Sequence, residues 1–432
     1  MVLILLFLAE KVMYQMVIIQ WFLAVILMYQ LVIFLLFRVI ISDAQPFITV
    51  KGKDIIGPDG KPFLMKGTNL GNWLLPEGYM FKFKEASSPR LINEVITELI
   101  GPAGAKEFWK AHLANYITRK DIHYLRSTGM NSIRIPFHYK LFTDEDYLGG
   151  RGEARGFALM DSVIKWCAAE NLFVILDMHA APGGQTGDNI DDSYGYPFIY
   201  TSQEDQAQVC NIWMRIADHY KNNRTVMGYD LFNEPIPHFL DTTNLNPLLE
   251  PLFKKITAAI RTKDKNHIIF LEGAQWASNF SAFGKPFDDK LVYQFHKYWT
   301  PATTEVIQSY IQFRDKFNVP IYCGETGENE DKWVGDFRKV LEQNGIGWHY
   351  WPYKKMDNTR GIMSFPKPSG YDAIIQFADT SRSNFDLIRK ARPADTMAVR
   401  KALFEYSQNS RFEFCKPNTS YIEALGLNSK AE

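Results

Sequence analysis

The chain has 432 residues, 46% hydrophobic and 22% charged, an ordinary globular composition. Lys+Arg and Asp+Glu stand at 48 each, so the net charge is zero and the basic excess expected of a nucleic-acid binder is missing. The four cysteines, Cys167, Cys210, Cys323 and Cys415, form no C-x-x-C pair. That spacing argues against a zinc or redox centre and for buried free thiols, with one disulfide left open in an oxidising compartment.

From Met1 to Ile41 the chain is almost continuously apolar, and Val12 to Phe37 is long enough to cross a bilayer as a helix. Ser42-Asp43-Ala44 places small residues where a signal peptidase wants them. Residues 1–44 therefore read in two ways. One is a signal peptide, with the true start at Met13 or Met28; the other is a retained membrane anchor. Both export the rest of the chain to an extracellular, periplasmic or outward-facing membrane-anchored position. Residues 45–432 are expected to form a single domain and to act as a monomer.

After Pro46, short apolar strands alternate with amphipathic helices, the pattern of βαβ units and a parallel sheet. Candidate strands are 63–67, 132–136, 173–177, 226–232, 268–271, 291–295, 320–323 and 345–350. Between them, Met160, Val163, Ile164 and Cys167 form an apolar stripe at helical spacing. So do Val209, Ile212, Trp213, Ile216, Ala217 and Tyr220, and again Leu249, Leu252, Phe253, Ile256 and Ile260. Gly129 suits the left-handed position after a helix ending near Thr128. Eight units without a phosphate-binding glycine fingerprint favour a closed (β/α)₈ TIM barrel over a doubly wound sheet. Asp59-Gly60 signals a hairpin that closes the barrel bottom. From Met363 onward we expect a last helix and decorating loops, with fraying beyond Leu427.

Chemistry in such a barrel sits at the C-terminal ends of the strands, and unusual polar residues gather there. Arg134 lies in the second strand, His179 follows the third, and Asn233 and Glu234 close the fourth. His296 and Tyr298 end the sixth, Glu325 the seventh and Trp351 the eighth. Singly, each has a bland explanation: a carboxylate ending a strand is commonly a cap or a loop ion pair, and Glu272 reads as such. Together they outfit one reaction. Retaining glycoside cleavage needs a nucleophilic carboxylate and a proton-donating one about 5–5.5 Å apart, and Glu234 and Glu325 face each other across the mouth. Arg134 and Tyr298 can keep the nucleophile ionised.

This constellation resembles glycoside hydrolase family 5, the cellulase-like family of clan A, over about Phe47 to Tyr406. The resemblance implies Glu234 as acid/base and Glu325 as nucleophile. It casts Arg134, His179, Asn233, His296, Tyr298 and Trp351 as supports, and needs no metal or organic cofactor. The segments 66–74 and 177–184 are similar to those of exo-β-1,3-glucanases, although Asn72 stands where those commonly carry Gly. A β-linked oligo- or polysaccharide, with β-glucan first, is the expected substrate. Trp73, Tyr194, Tyr196, Trp276 and Trp299 are candidate sugar platforms. A glycosylceramidase-like hydrolase is the alternative enzyme. A non-catalytic carbohydrate-binding barrel would be marked by loss of a glutamate, and both are present.

Overall fold

The computed structural model describes residues 1–42 and 46–430, with side chains described for 1–32 and 46–430; Asp43 and Ala44 of the expected cleavage site, and the last two residues, lie outside. Contacts divide the chain into two units, Met1–Pro46 and Phe47–Glu432. The first holds one helix, Val2–Ser42, of which Val2–Val32 is long and apolar enough to cross a membrane. Its large apolar side chains from Val2 to Val32 are exposed, except for the half-buried Val25.

In the second unit the eight strands form a closed parallel barrel. They are β1 (Lys66–Asn69), β2 (Ser132–His138), β3 (Phe173–Ala180), β4 (Val226–Asp230), β5 (Ile268–Glu272), β6 (Leu291–Lys297), β7 (Ile321–Gly327) and β8 (Gly347–Trp351). Each pairs with its neighbour in sequence, and β8 closes on β1 through Trp348↔Lys66 to Tyr350↔Thr68. The helices Arg155–Glu170, Gln203–Tyr220 and Thr242–Arg261 bury the apolar stripes read from the sequence. Gly129 takes φ 101° after the helix Arg119–Ser127.

Three expectations need correction. The first strand begins at Lys66, three residues after the apolar run at Phe63 starts. The antiparallel pair Thr49–Lys51 and Asp54–Ile56 turns at Gly52-Lys53, while Asp59-Gly60 makes a second turn bridging Ile56 to Pro62. This hairpin does cap the bottom, for Ile48 and Ile55 pack with Met65, Ile175, Met227 and Phe270. The tail is richer than one last helix with loops: it carries helices Tyr371–Ala378, Phe385–Ala391, Thr396–Asn409 and Thr419–Ala424, and its strands 363–365 and 416–417 join 354–356 in a small sheet. Asn428 is held by a hydrogen bond from its N–H to the Thr128 carbonyl at 2.8 Å.

Candidate active site

Arg134 is the centre from which the site is built. Fully buried in β2, it donates from Nη1 to Glu325 Oε1 at 2.6 Å, from Nε to Asp230 Oδ2 at 2.8 Å and from Nη2 to Glu272 Oε1 at 2.8 Å. Asp177 Oδ2 lies 3.1 Å from Nη2, and Asn233 Oδ1 accepts at 3.0 Å. One guanidinium thus ties together the ends of β3, β4, β5 and β7. An Arg fork is needed because its donors are planar, fixed and always charged. Four carboxylates facing one cation would be intolerable without a second. His296 supplies it: burial opposes its charge, but Glu272, Glu325 and the bond to Glu234 push its pKa well above the ordinary histidine range. Burial in turn pushes Asp177 and Asp230 well above the carboxylate range, against the pull of Arg134.

Glu234 and Glu325 converge on His296. Nδ1 of His296 donates to Glu234 Oε1 at 2.8 Å, and one oxygen of each glutamate lies within 4.8 Å of the other and of the ring. Register places His296 beside Glu325, just past a bulge between Phe295 and His296 that re-aims the side chain. Tyr298 Oη donates to Glu325 Oε2 at 3.1 Å. Burial raises the Glu325 carboxyl, with His296, Arg134 and His179 opposing. Glu234 sits at φ 47° and Ile236 at φ 53°, left-handed conformations unusual for such residues. The Glu234 N–H donates to Glu272 Oε2 at 2.6 Å, so Glu272 holds the strained backbone in place. By distance alone Glu234, His296 and Glu325 could hold a cation. A protonated imidazole is no ligand, however, and both oxygens of Glu325 are already engaged, so the donor set fits a metal poorly.

These groups line a cleft of about 860 Å³ together with His179, Asn233, Trp351, Glu77, Tyr79 and Glu328. His179 donates from Nδ1 to Asp177 at 2.6 Å and stacks on Trp351 with centroids 5.6 Å apart. Burial lowers its pKa to about 4. The Trp351 indole donates to Tyr79 Oη at 2.6 Å and leaves no room for a side chain at Gly71, whose added Cβ would meet it at 2.5 Å. Beyond Tyr79, Lys355 pairs with Glu328. Gln185 pins the loop after β3 by donating to the carbonyls of His179 and Asn233 at 2.8 and 2.9 Å.

All eight residues expected at the site are thereby brought together. The platforms divide. Trp276 and Trp299 line the cleft, whereas Trp73 is 2% exposed, packed in the core, its indole donating to the Leu113 carbonyl. Trp73 is therefore not a platform. Tyr194, 74% exposed, lies outside the cleft lining with the Arg90 guanidinium over its ring. Sequence reasoning missed Asp177, Asp230, Glu77, Tyr79 and Gln294, whose amide donates to Asp230 Oδ2 at 3.0 Å and to Glu272 Oε1 at 2.5 Å. Asp177 and Asp230 carried a signal: each is a charge inside an otherwise apolar barrel strand.

A closed parallel barrel with paired glutamates at its mouth defines a glycoside hydrolase. The sequence model of the cellulase family, glycosyl hydrolase family 5, matches residues 97–357, and the chain belongs to that family; it is a retaining β-glycoside hydrolase. It is 27% identical over 392 residues to a β-xylosidase of Phanerodontia chrysosporium, covering 82% of this chain and 80% of that protein. It is 26% identical over 306 residues to a probable glucan 1,3-β-glucosidase A of Aspergillus fumigatus, covering 66% and 70%. Among solved structures, a rutinosidase from Aspergillus niger superposes with a TM-score of 0.55 at 19% identity, covering 69% of this chain and 92% of that one.

Proposed function

We propose that Glu325 is the nucleophile and Glu234 the acid/base of a double displacement on a β-glucoside or β-glucan. The observation that carries this is the placement of two carboxylates within 4.8 Å in unlike settings. Both oxygens of Glu325 accept hydrogen bonds, from Arg134 and Tyr298, that favour the ionised form. Glu234 has one such bond, from His296, and borders the cleft through which a leaving group departs. Glu325 attacks the anomeric carbon while Glu234 protonates the departing oxygen. Water then displaces Glu325, giving its proton to Glu234. Asn233, held by Arg134, is placed to donate to the sugar 2-OH, and Trp351 floors the ring. The names of the relatives support glucoside and xyloside substrates. Residues 45–432 are taken as one catalytic domain acting as a monomer, exported after cleavage near Gln45 or tethered by the apolar helix.

The test separates the two glutamates. Glu325→Gln forms no covalent intermediate, so every substrate slows by several orders of magnitude. Glu234→Gln loses an acid–base contribution of about 10²–10⁴-fold, yet a dinitrophenyl β-glycoside needs little protonation to depart. That variant is expected to release a burst of dinitrophenol and, with azide, to give a β-glycosyl azide. Exchange of the two patterns reverses the roles; normal hydrolysis by both variants moves the active site elsewhere.

A further inference from the structure

The two ends of the cleft differ in what they leave unsatisfied. At the end bounded by Tyr79 and Trp351, the buried Glu77 keeps Oε1 without a partner among the described residues. The other end is formed by the loop that follows Glu234 and by the segment after β5. There most polar groups are already engaged with one another. The Trp276 indole N–H donates to His238 Nδ1 at 3.1 Å. The Gln275 amide donates to Asn246 Oδ1 at 2.8 Å and accepts from Asn279 at 2.7 Å, and the Ser278 hydroxyl donates to the Gln275 carbonyl at 2.5 Å. What this end presents outward is aromatic surface: Phe239, 58% exposed, lies 6.1 Å from Trp276, and Trp299 is 71% exposed on the rim. Trp276 and Trp299 are held there at φ 59° and 52°, conformations a Trp adopts only where the surrounding fold imposes them.

The leaving group departs on the side of the proton donor, and Phe239 and His238 come from Glu234's own loop. A polysaccharide leaving group would bring several hydroxyls to this end. It would find few open polar atoms there: Thr300 Oγ1, unpartnered among the described residues, is buried, which leaves the second nitrogen of His238 and the Lys297 amine. Burying unmatched hydroxyls is costly, whereas an apolar group gains from every ring it covers. We infer that the leaving-group end of this cleft is built for a hydrophobic alcohol or phenol, so that the enzyme cleaves β-glycosides of apolar aglycones in preference to sugar–sugar bonds. This rests on the assignment of Glu234 as proton donor.

Full-length protein is assayed on glucosides that share one sugar: octyl β-glucoside below its micellar concentration, an unactivated aryl β-glucoside, β-glucosyl fluoride, cellobiose and laminaribiose. Octyl and aryl glucosides are expected to exceed both disaccharides at least tenfold in kcat/KM, with the octyl-to-aryl ratio telling lipid-like from phenolic aglycones. In Trp276→Ala and Trp299→Ala, the ratio of kcat/KM for the octyl or aryl glucoside to that for the fluoride should fall about tenfold, mainly through KM. Disaccharides cleaved as fast as or faster than the apolar glucosides, or variants that leave the ratio unmoved, would overturn the inference while the reaction stands. Absence of cleavage for every β-glycoside, the fluoride included, would instead remove the double-displacement reading.

Discussion

Glu325 meets two opposing influences, burial that raises its carboxyl and hydrogen bonds that favour its charge. Because the raised direction prevails and Glu325, as the proposed nucleophile, must be ionised, the acid limb of kcat/KM should lie above the ordinary glutamate range of about 4.3. A pH profile measured on a glycosyl fluoride reads it; a limb below that value would show that Arg134 and Tyr298 dominate. Arg134 is the more severe position. Arg134→Met leaves Asp177, Asp230, Glu272 and Glu325 buried without their shared cation. Removing one partner of a buried ion pair costs about 3–5 kcal/mol, so the variant should unfold at markedly lower denaturant as well as lose activity. Glu234, Glu325, Arg134, His179, Asn233, His296, Tyr298 and Trp351, which the structure brings together at the cleft, were legible because they fall in or at the ends of barrel strands in types that chemistry uses. Glu272 was legible as structural, and the structure shows it also clamping the backbone of Glu234. Glu77 and Tyr79 were not, since a long loop after β1 brings them to the cleft and no periodicity marks their destination.

The barrel strands and the helix stripes could be read because burial on one face imposes a period. A last helix was expected in the tail, but Thr396–Asn409 could not be placed from the sequence for an instructive reason. Its buried positions, Val399, Ala402, Leu403, Tyr406 and Ser407, do follow helical spacing, but Ala and Ser weaken the apolar signal of the stripe. Asp59-Gly60 does turn the chain, from Ile56 back to Pro62, but the strand pair itself turns earlier, at Gly52-Lys53. The N-terminal helix makes its own prediction. Membrane fractionation and N-terminal sequencing of the protein from its host should give either a mature chain beginning near Gln45 or a membrane-bound chain that retains the helix. Recovery of the whole chain, uncleaved and free of membrane, would exclude both.

Stability of the whole molecule should depend on pH through histidines that fold in the neutral form. His112 is fully buried within an aromatic cage of Phe81, Phe108, Trp109, Tyr116 and Tyr406. Its Nε2 donates to the Asn72 carbonyl at 2.9 Å, and Nδ1 has no partner among the described residues. A proton added at Nδ1 would therefore enter apolar surroundings, and burial lowers the pKa to about 4. The unfolded chain takes up that proton near pH 6.5. Between pH 6.5 and 4 the unfolded state thus binds more protons, so the contribution of His112 is complete above 6.5, falls as pH drops, and levels off below 4. Across that window the loss is on the order of 3 kcal/mol. The same bond reaches the cleft: Asn72, left-handed at φ 62°, accepts from the Glu77 N–H and follows Gly71, which packs under Trp351. The left-handed backbone explains why a residue other than glycine there should be asparagine. His112→Gln keeps a donor for the Asn72 carbonyl but cannot titrate. Its denaturation midpoint will be lower than that of the parent at pH 7.5, yet the gap should narrow by pH 5. A gap that stays constant or widens on acidification would show that His112 does not carry this dependence.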